Sequence, residues 1–279
     1  MNTRTPPTDT PLITFVGGGN MASAIIGGLL HQGHPASALQ VVEPWDEQRV
    51  RLARQFPGVT LHVEAGPDML PSDMVIWAVK PQSFREAALA SAAYLPDALH
   101  LSVAAGITTD SMASWLGTGR IVRAMPNTPA LVGLGMTGLF ARDDAGDEDR
   151  TLVEQVVRTT GELAWVPVEQ DLDAVTALSG SGPAYVFYFL EAMRDAGENM
   201  GLSPELALQL ATGTFIGAAT LAQRSDDPPQ ILRERVTSKG GTTHAAVTTL
   251  QAAKVKESFE MALEAARRRA EELGREYGA

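Results

Sequence analysis

The residues of this chain whose types and spacing most plainly suit chemistry are Gly17-Gly18-Gly19-Asn20-Met21-Ala22. In Gly17-x-Gly19-x-x-Ala22 the glycines permit a tight turn and close backbone approach to a pyrophosphate, and the small third residue lets a helix pack on a strand. Leu12-Ile13-Thr14-Phe15-Val16 ahead of the turn reads as an apolar strand, and Met21 to Gly33 behind it as a helix. A helix opened this way presents free N–H groups to phosphate. The pattern predicts a dinucleotide site at Gly17, Gly19, Asn20 and Met21; a glycine turn with no ligand is the plainer alternative, which the flanking strand and helix oppose.

Glu43 closes the next apolar run, Leu39 to Glu43, where an acidic residue often accepts from the adenosine ribose. That favours NAD, whereas Arg49 or Arg51 reaching a 2′-phosphate favours NADP, and a solvated carboxylate favours neither. Ala78-Val79-Lys80-Pro81 and Ala104-Ala105-Gly106 end two further buried strands. They belong either to the rim of the dinucleotide site or to ordinary turns, with Lys80 facing phosphate, ribose or solvent. The chain has no cysteine, shows no metal-ligand spacing, and pairs none of its serines with a histidine. No metal and no side-chain nucleophile are therefore expected.

The elements that position these residues divide the chain. Strands expected at 12–16, 39–43, 59–63, 74–79, 99–103, 121–125 and 164–168 alternate with helices. Such alternation predicts an α/β fold with a mostly parallel sheet and its loops along one carboxyl edge. From Leu172 onward, apolar-periodic stretches at 184–200, 204–223 and 254–277 predict helices alone. The expected organisation is a flexible tail over 1–11, an N-terminal Rossmann dinucleotide-binding domain over 12–170, and an all-helical domain over 171–279. A net charge of -11 disfavours nucleic acid, whose phosphates call for clustered Lys and Arg. Residues 1–11 are polar and proline-rich, and no apolar run reaches the ~18 residues of a membrane span. A cytoplasmic protein without membrane or nucleic-acid partners is expected.

Six blocks, in order, carry a resemblance to a known family: the Gly-Asn-Met-Ala turn; Ala78-Val79-Lys80-Pro81-Gln82; Ser102-Val103-Ala104-Ala105-Gly106-Ile107; Arg123-Ala124-Met125-Pro126-Asn127-Thr128-Pro129-Ala130; Asp173 through Ser179-Gly180-Ser181-Gly182-Pro183-Ala184-Tyr185; and Thr237-Ser238-Lys239-Gly240-Gly241-Thr242-Thr243. Together they resemble pyrroline-5-carboxylate reductase over nearly the whole chain. The resemblance implies a helical dimerisation domain that completes each active site at a subunit interface, in a dimer or a ring of dimers. It also implies reduction of 1-pyrroline-5-carboxylate to L-proline with NADPH or NADH, the last step of proline biosynthesis. Thr243 is implied as catalytic, beside the substrate nitrogen. The amides of Gly241, Thr242 and Thr243 are implied to hold the substrate carboxylate, with Glu169 and Ser181 beside that pocket and Asn127 at the cofactor.

The loop reading agrees independently, since a glycine-led helix start is an anion site. A helix cap is the plainer role for Thr243. His244 and Tyr185 read better as surface and packing residues than as proton donors. Two departures stand out. Lys239 takes the place of the family's usual proline, and Glu64-Ala65-Gly66 replaces a region that often carries a ribose-contacting Asn. A related imine or 3-hydroxyacid reductase, or a regulator that binds dinucleotide without turnover, would share the fold.

Overall fold

The computed structural model describes residues 10–278, so most of the tail expected over 1–11 lies outside the described residues. The chain forms two compact units. One runs through Ser181 and takes up the chain again from Ala266; the other is Gly182–Ala265.

The first unit is built on one eight-stranded sheet of order β3-β2-β1-β4-β5-β6-β7-β8. Its strands are β1 (Ile13–Val16), β2 (Leu39–Val42), β3 (Thr60–His62), β4 (Met74–Trp77), β5 (Leu99–Ser102), β6 (Ile121–Met125), β7 (Gly135–Ala141) and β8 (Gly161–Trp165). The six from β3 to β6 are parallel and follow the Rossmann order, which reverses direction between β1 and β4, the place where such sheets bind ligands. Phe15 lies between Val41 and Ile76 in register. Strands β1, β2, β4 and β5 are buried along their whole length, so that even their polar residues Thr14, Gln40, His100 and Ser102 lie inside.

Helices α1 (Asn20–His31), α2 (Asp46–Gln55), α3 (Pro81–Ser91), α4 (Thr109–Leu116) and α5 (Asp147–Val157) complete the crossovers. Two cores result. Ile13, Phe15, Ile26, Leu52 and Ile76 belong to one, and Val75, Trp77, Phe84, Ile107 and Met112 to the other.

Two strands depart from the sequence reading. Strand β7 was not expected; it runs antiparallel to β6 and parallel to β8. Strand β8 sits three residues before the run expected at 164–168, because Pro167 cannot donate to a ladder while Gly161 can take its φ of 144°. After β8 the chain enters α6 (Asp171–Val175) and a π turn, Thr176–Gly180.

The second unit is helical: α7 (Gly182–Asn199), α8 (Pro204–Arg224), α9 (Pro229–Arg235), α10 (Thr242–Ala252) and the first half of α11 (Val255–Tyr277). Ser203 caps α8 by accepting from the Leu206 amide at 3.3 Å, and Pro204 follows in the first turn. Helices α7 and α8 approach closely where a Cβ on Gly197 would lie 2.7 Å from that of Ala207. Tyr185 meets Phe259 edge-on with ring centroids 5.5 Å apart, a packing contact. By length and mean hydropathy alone, α8 would pass as a membrane span. Its apolar residues are interspersed with Gln209, Thr212, Thr214, Thr220 and Gln223, so no unbroken run forms.

The end of α11 belongs to the first unit. Tyr277 accepts from Gln82 Nε2 at 3.2 Å, and the Ser111 hydroxyl donates to the Gly278 carbonyl. The division between units therefore falls at Ser181 and again at Ala265, whereas the sequence reading places one boundary near residue 170.

Candidate active site

At the carboxyl end of β1 the three glycines do three different jobs. Gly17 has φ +93°, and a Cβ there would lie 2.7 Å from the Ala78 carbonyl oxygen and 2.9 Å from Val79 Cγ1. The turn thus touches the exit of β4, bringing the predicted Ala78 and Val79 against Gly17. A Cβ on Gly18 would collide with Leu52 Cδ1 at 2.5 Å. At Gly19 it would meet nothing within 4 Å. Gly19 is the N-cap of α1, where no side chain makes a capping hydrogen bond and no acidic residue occupies the first turn, so Asn20 and Met21 open the helix with their amides unclaimed by a cap. Ala22 is fully buried behind them. An open space above an uncapped twelve-residue helix fits a dinucleotide pyrophosphate.

Glu43 stands beneath this turn. Its Oε2 accepts from the Gly18 amide at 2.9 Å and its Oε1 from the Trp45 amide at 3.0 Å. The carboxylate is buried and ties the glycine turn to the loop after β2. Arg49 donates to the Glu43 and Pro44 carbonyls at 2.8 and 2.7 Å and pairs with Asp46 at 2.9 Å, so it too braces that loop.

Lys80 is exposed and precedes α3, with Pro81 in the first helical turn. Ala104 is buried, and its amide donates to Ser102 Oγ at 3.2 Å; Ala105 beside it is half-buried. Gly106 has φ +76°, and a Cβ there would lie 3.2 Å from the Leu273 carbonyl carbon, so close packing of α11 already requires the glycine. Asn127 works as a clasp. Its Nδ2 donates to the Ser179 carbonyl at 3.1 Å and its Oδ1 accepts from the Met136 amide at 2.9 Å, joining the end of β6 to the π turn and β7.

Glu169 lies apart from the glycine turn. It accepts from the Thr109 amide at 2.8 Å, the Thr109 hydroxyl at 2.6 Å and Arg123 Nη1 at 3.0 Å. A cavity of about 590 Å³ adjoins it, lined also by Thr109, Arg142, Arg150 and Val168. Burial raises the carboxyl of nearby Asp173 above its ordinary range, with Arg123 opposing. Ser181 ends the π turn, its amide donating to the Thr176 carbonyl at 2.8 Å.

In the helical unit Gly240 has φ +78°, and Gly241 is the N-cap of α10 with no side-chain cap and no acidic residue in the first turn. The amides of Thr242 and Thr243 begin this helix, an arrangement equivalent to that at Gly19. Thr243 is half-buried; Thr242, His244 and Lys239 are exposed. The helix start can hold an anion, and Thr243 lies within its first turn.

A family model for pyrroline-5-carboxylate reductase dimerisation matches residues 169–273, and one for NADP oxidoreductase, coenzyme F420-dependent, matches residues 12–106. The pyrroline-5-carboxylate reductase of Pseudomonas aeruginosa is 44% identical over 273 residues, covering 96% of this chain and 99% of the relative. The chain belongs to the pyrroline-5-carboxylate reductase family. A solved reductase of this family from Coxiella burnetii superposes with a TM-score of 0.88 at 38% identity, covering 95% of this chain and 99% of that one. Another, from Plasmodium falciparum with NADP bound, gives 0.83 at 27%, covering 96% and 100%.

The chain has two uncapped, glycine-led helix starts, and Lys239 stands in the turn before α10. The sequence reading missed Arg123 and Thr109 as the partners of Glu169. A lone arginine inside the apolar run Ile121–Met125 was the available signal, because a charge so placed needs a buried counterion.

Proposed function

We propose that this chain reduces 1-pyrroline-5-carboxylate to L-proline with NADPH or NADH, closing proline biosynthesis, and that it works in the cytoplasm as a dimer or ring of dimers. The observation that carries the reading is the presence, in a chain of this family, of two glycine-led and uncapped helix starts. One suits a pyrophosphate and the other a small carboxylate.

When bound, the dihydronicotinamide supplies a hydride to the imine carbon. The amides behind Gly19 hold the pyrophosphate, with Ala78, Val79, Lys80, Pro81, Ala104, Ala105 and Asn127 along the rim. The amides at Gly241, Thr242 and Thr243 fix the substrate carboxylate. The Thr243 hydroxyl holds the ring nitrogen; the imine enters already protonated from solvent, so addition of the hydride at carbon alone turns the C=N bond into C–N. Catalysis by positioning supplies about 7 to 11 kcal/mol in favourable intramolecular cases, so no side-chain nucleophile is needed.

Steady-state oxidation of NADH and of NADPH, each with 1-pyrroline-5-carboxylate, tests the proposal in the native chain and in Thr243→Ala. Proline should form, and kcat/KM should fall clearly in the variant. Equal activity in the variant removes Thr243 from the mechanism. Cofactor oxidation that needs no pyrroline carboxylate, or proceeds only with another imine or carbonyl, overturns the substrate.

A further inference from the structure

Four tryptophans occur in the chain. Trp77 is fully buried, and Trp115 and Trp165 pack partly against the cores. Trp45 is 72% exposed.

Its backbone is nevertheless held at both its amide and its carbonyl. The Trp45 amide donates to Glu43 Oε1 at 3.0 Å, and its carbonyl accepts from the Arg49 amide at 3.0 Å. Arg49 clamps the two carbonyls just before it. The same Glu43 carboxylate holds Gly18, and Gln48 Nε2 donates to the Gly18 carbonyl. The backbone of Trp45 is therefore tied to the phosphate turn, while most of its side chain is in water. Tryptophan suits a recognition surface because it offers a large apolar ring together with a polar N–H.

Position identifies what it recognises. In a sheet of this order the adenosine half of a dinucleotide lies over the end of β2, beside the glycine turn. The residue expected to grip the ribose there, Glu43, has each carboxylate oxygen engaged by a backbone amide. Recognition of the adenosine then falls to what the loop presents outward, and its largest outward group is a flat indole.

We infer that Trp45 is the platform on which the adenine ring of the dinucleotide stacks, which rests on the dinucleotide reading above but not on the identity of the imine. Stacking reads the π-face of the base, so it serves NADH and NADPH alike and leaves the nicotinamide end untouched.

Tryptophan emission of the purified full chain, titrated with 5′-AMP, with nicotinamide mononucleotide and with NADH, tests the inference. 5′-AMP and NADH should quench the native chain and the mononucleotide should not; in Trp45→Phe the quench by 5′-AMP should vanish. Trp45→Ala should raise KM for both NADH and NADPH roughly tenfold, the scale of one base–aromatic stack, with kcat and the KM for the imine unchanged. Trp45→Phe should recover most of that loss. Quenching by 5′-AMP that survives in Trp45→Phe, or an unchanged cofactor KM in Trp45→Ala, overturns the inference. A chain that is quenched by 5′-AMP but does not turn over pyrroline carboxylate leaves Trp45 in place and removes only the substrate.

Discussion

Arg123 donates from Nη1 to Oε1 of Glu169 at 3.0 Å, an ion pair in which the arginine side chain is 6% exposed and the glutamate 16%. The same carboxylate takes the amide and hydroxyl of Thr109 at the start of α4. It thereby joins β6, the segment after β8 and a helix N-terminus, whose partial positive charge favours it. The structure gives Glu169 three protein donors, Thr109 twice and Arg123 once, before any substrate is considered.

Removing that carboxylate leaves a buried guanidinium without its counterion. Glu169→Ala should cost about 3 to 5 kcal/mol of stability, read by urea unfolding, and Glu169→Gln should cost less because an acceptor remains for Thr109. A role in the substrate pocket predicts the opposite: a raised KM for pyrroline carboxylate at unchanged stability.

The glycine turn separates folding from binding within three residues. Gly17→Ala forces a Cβ into the Ala78 carbonyl at a left-handed φ, so stability should fall by about 1 to 3 kcal/mol and cofactor affinity with it. Gly19→Ala has ordinary backbone angles and meets nothing within 4 Å. It should fold as well as the native chain while its methyl group occupies the space assigned to the pyrophosphate. Unfolding curves beside cofactor KM values check both; a Gly19→Ala chain with native KM places the pyrophosphate elsewhere.

The Rossmann half was legible because its signals are local. Gly17 to Ala22 is contiguous, and the buried parallel strands read as apolar runs. Strand β7 escaped because Gly135 and Gly138 weaken its pattern, and both are there for contacts that no local window shows. A Cβ on Gly135 would lie 2.8 Å from the Thr160 carbonyl oxygen, and one on Gly138 would lie 2.6 Å from Val175 Cγ1. The Arg123–Glu169 pair spans 46 residues, and Gly106 answers to Leu273. Periodicity carries no information over such separations. Glu43 was legible as an acid at the right place, but not as one already bound by Gly18 and Trp45.

One buried histidine sets a pH dependence. Trp77 Nε1 donates to His100 Nδ1 at 3.1 Å, so the imidazole accepts at that nitrogen as a neutral ring. Burial, with the Arg120 charge adding, lowers its pKa from 6.5 to about 4. Between those values the unfolded chain holds a proton that the fold refuses. His100 therefore favours folding fully above pH ~6.5 and progressively less as pH falls toward ~4, a loss on the order of 3 kcal/mol. Urea unfolding at neutral pH and near pH 5 should show the decline, and His100→Gln should flatten it. An equal decline in the variant would place the titration elsewhere.

Lys239 offers the sharpest test of the second anion site. The turn before α10 has Gly240 at φ +78° and Gly241 at an uncapped helix start, and a proline in place of Lys239 would hold the backbone there but bring no charge. Among the described residues no salt bridge engages Lys239, so its ammonium is available to an incoming carboxylate. An exposed charge of this kind acts weakly and is screened by salt. It acts on ground state and transition state alike, because the substrate carboxylate keeps its charge throughout the reaction. The expected signature is in KM and not in kcat. Lys239→Ala should raise the KM for pyrroline carboxylate by up to about fivefold at low ionic strength, leave kcat unchanged, and lose part of the native salt dependence. Lys239→Pro should also lose the salt dependence while regaining affinity through a stiffer loop. A native KM insensitive to both salt and Lys239→Ala would return this lysine to the solvated surface and leave the amides of Gly241, Thr242 and Thr243 to hold the carboxylate alone.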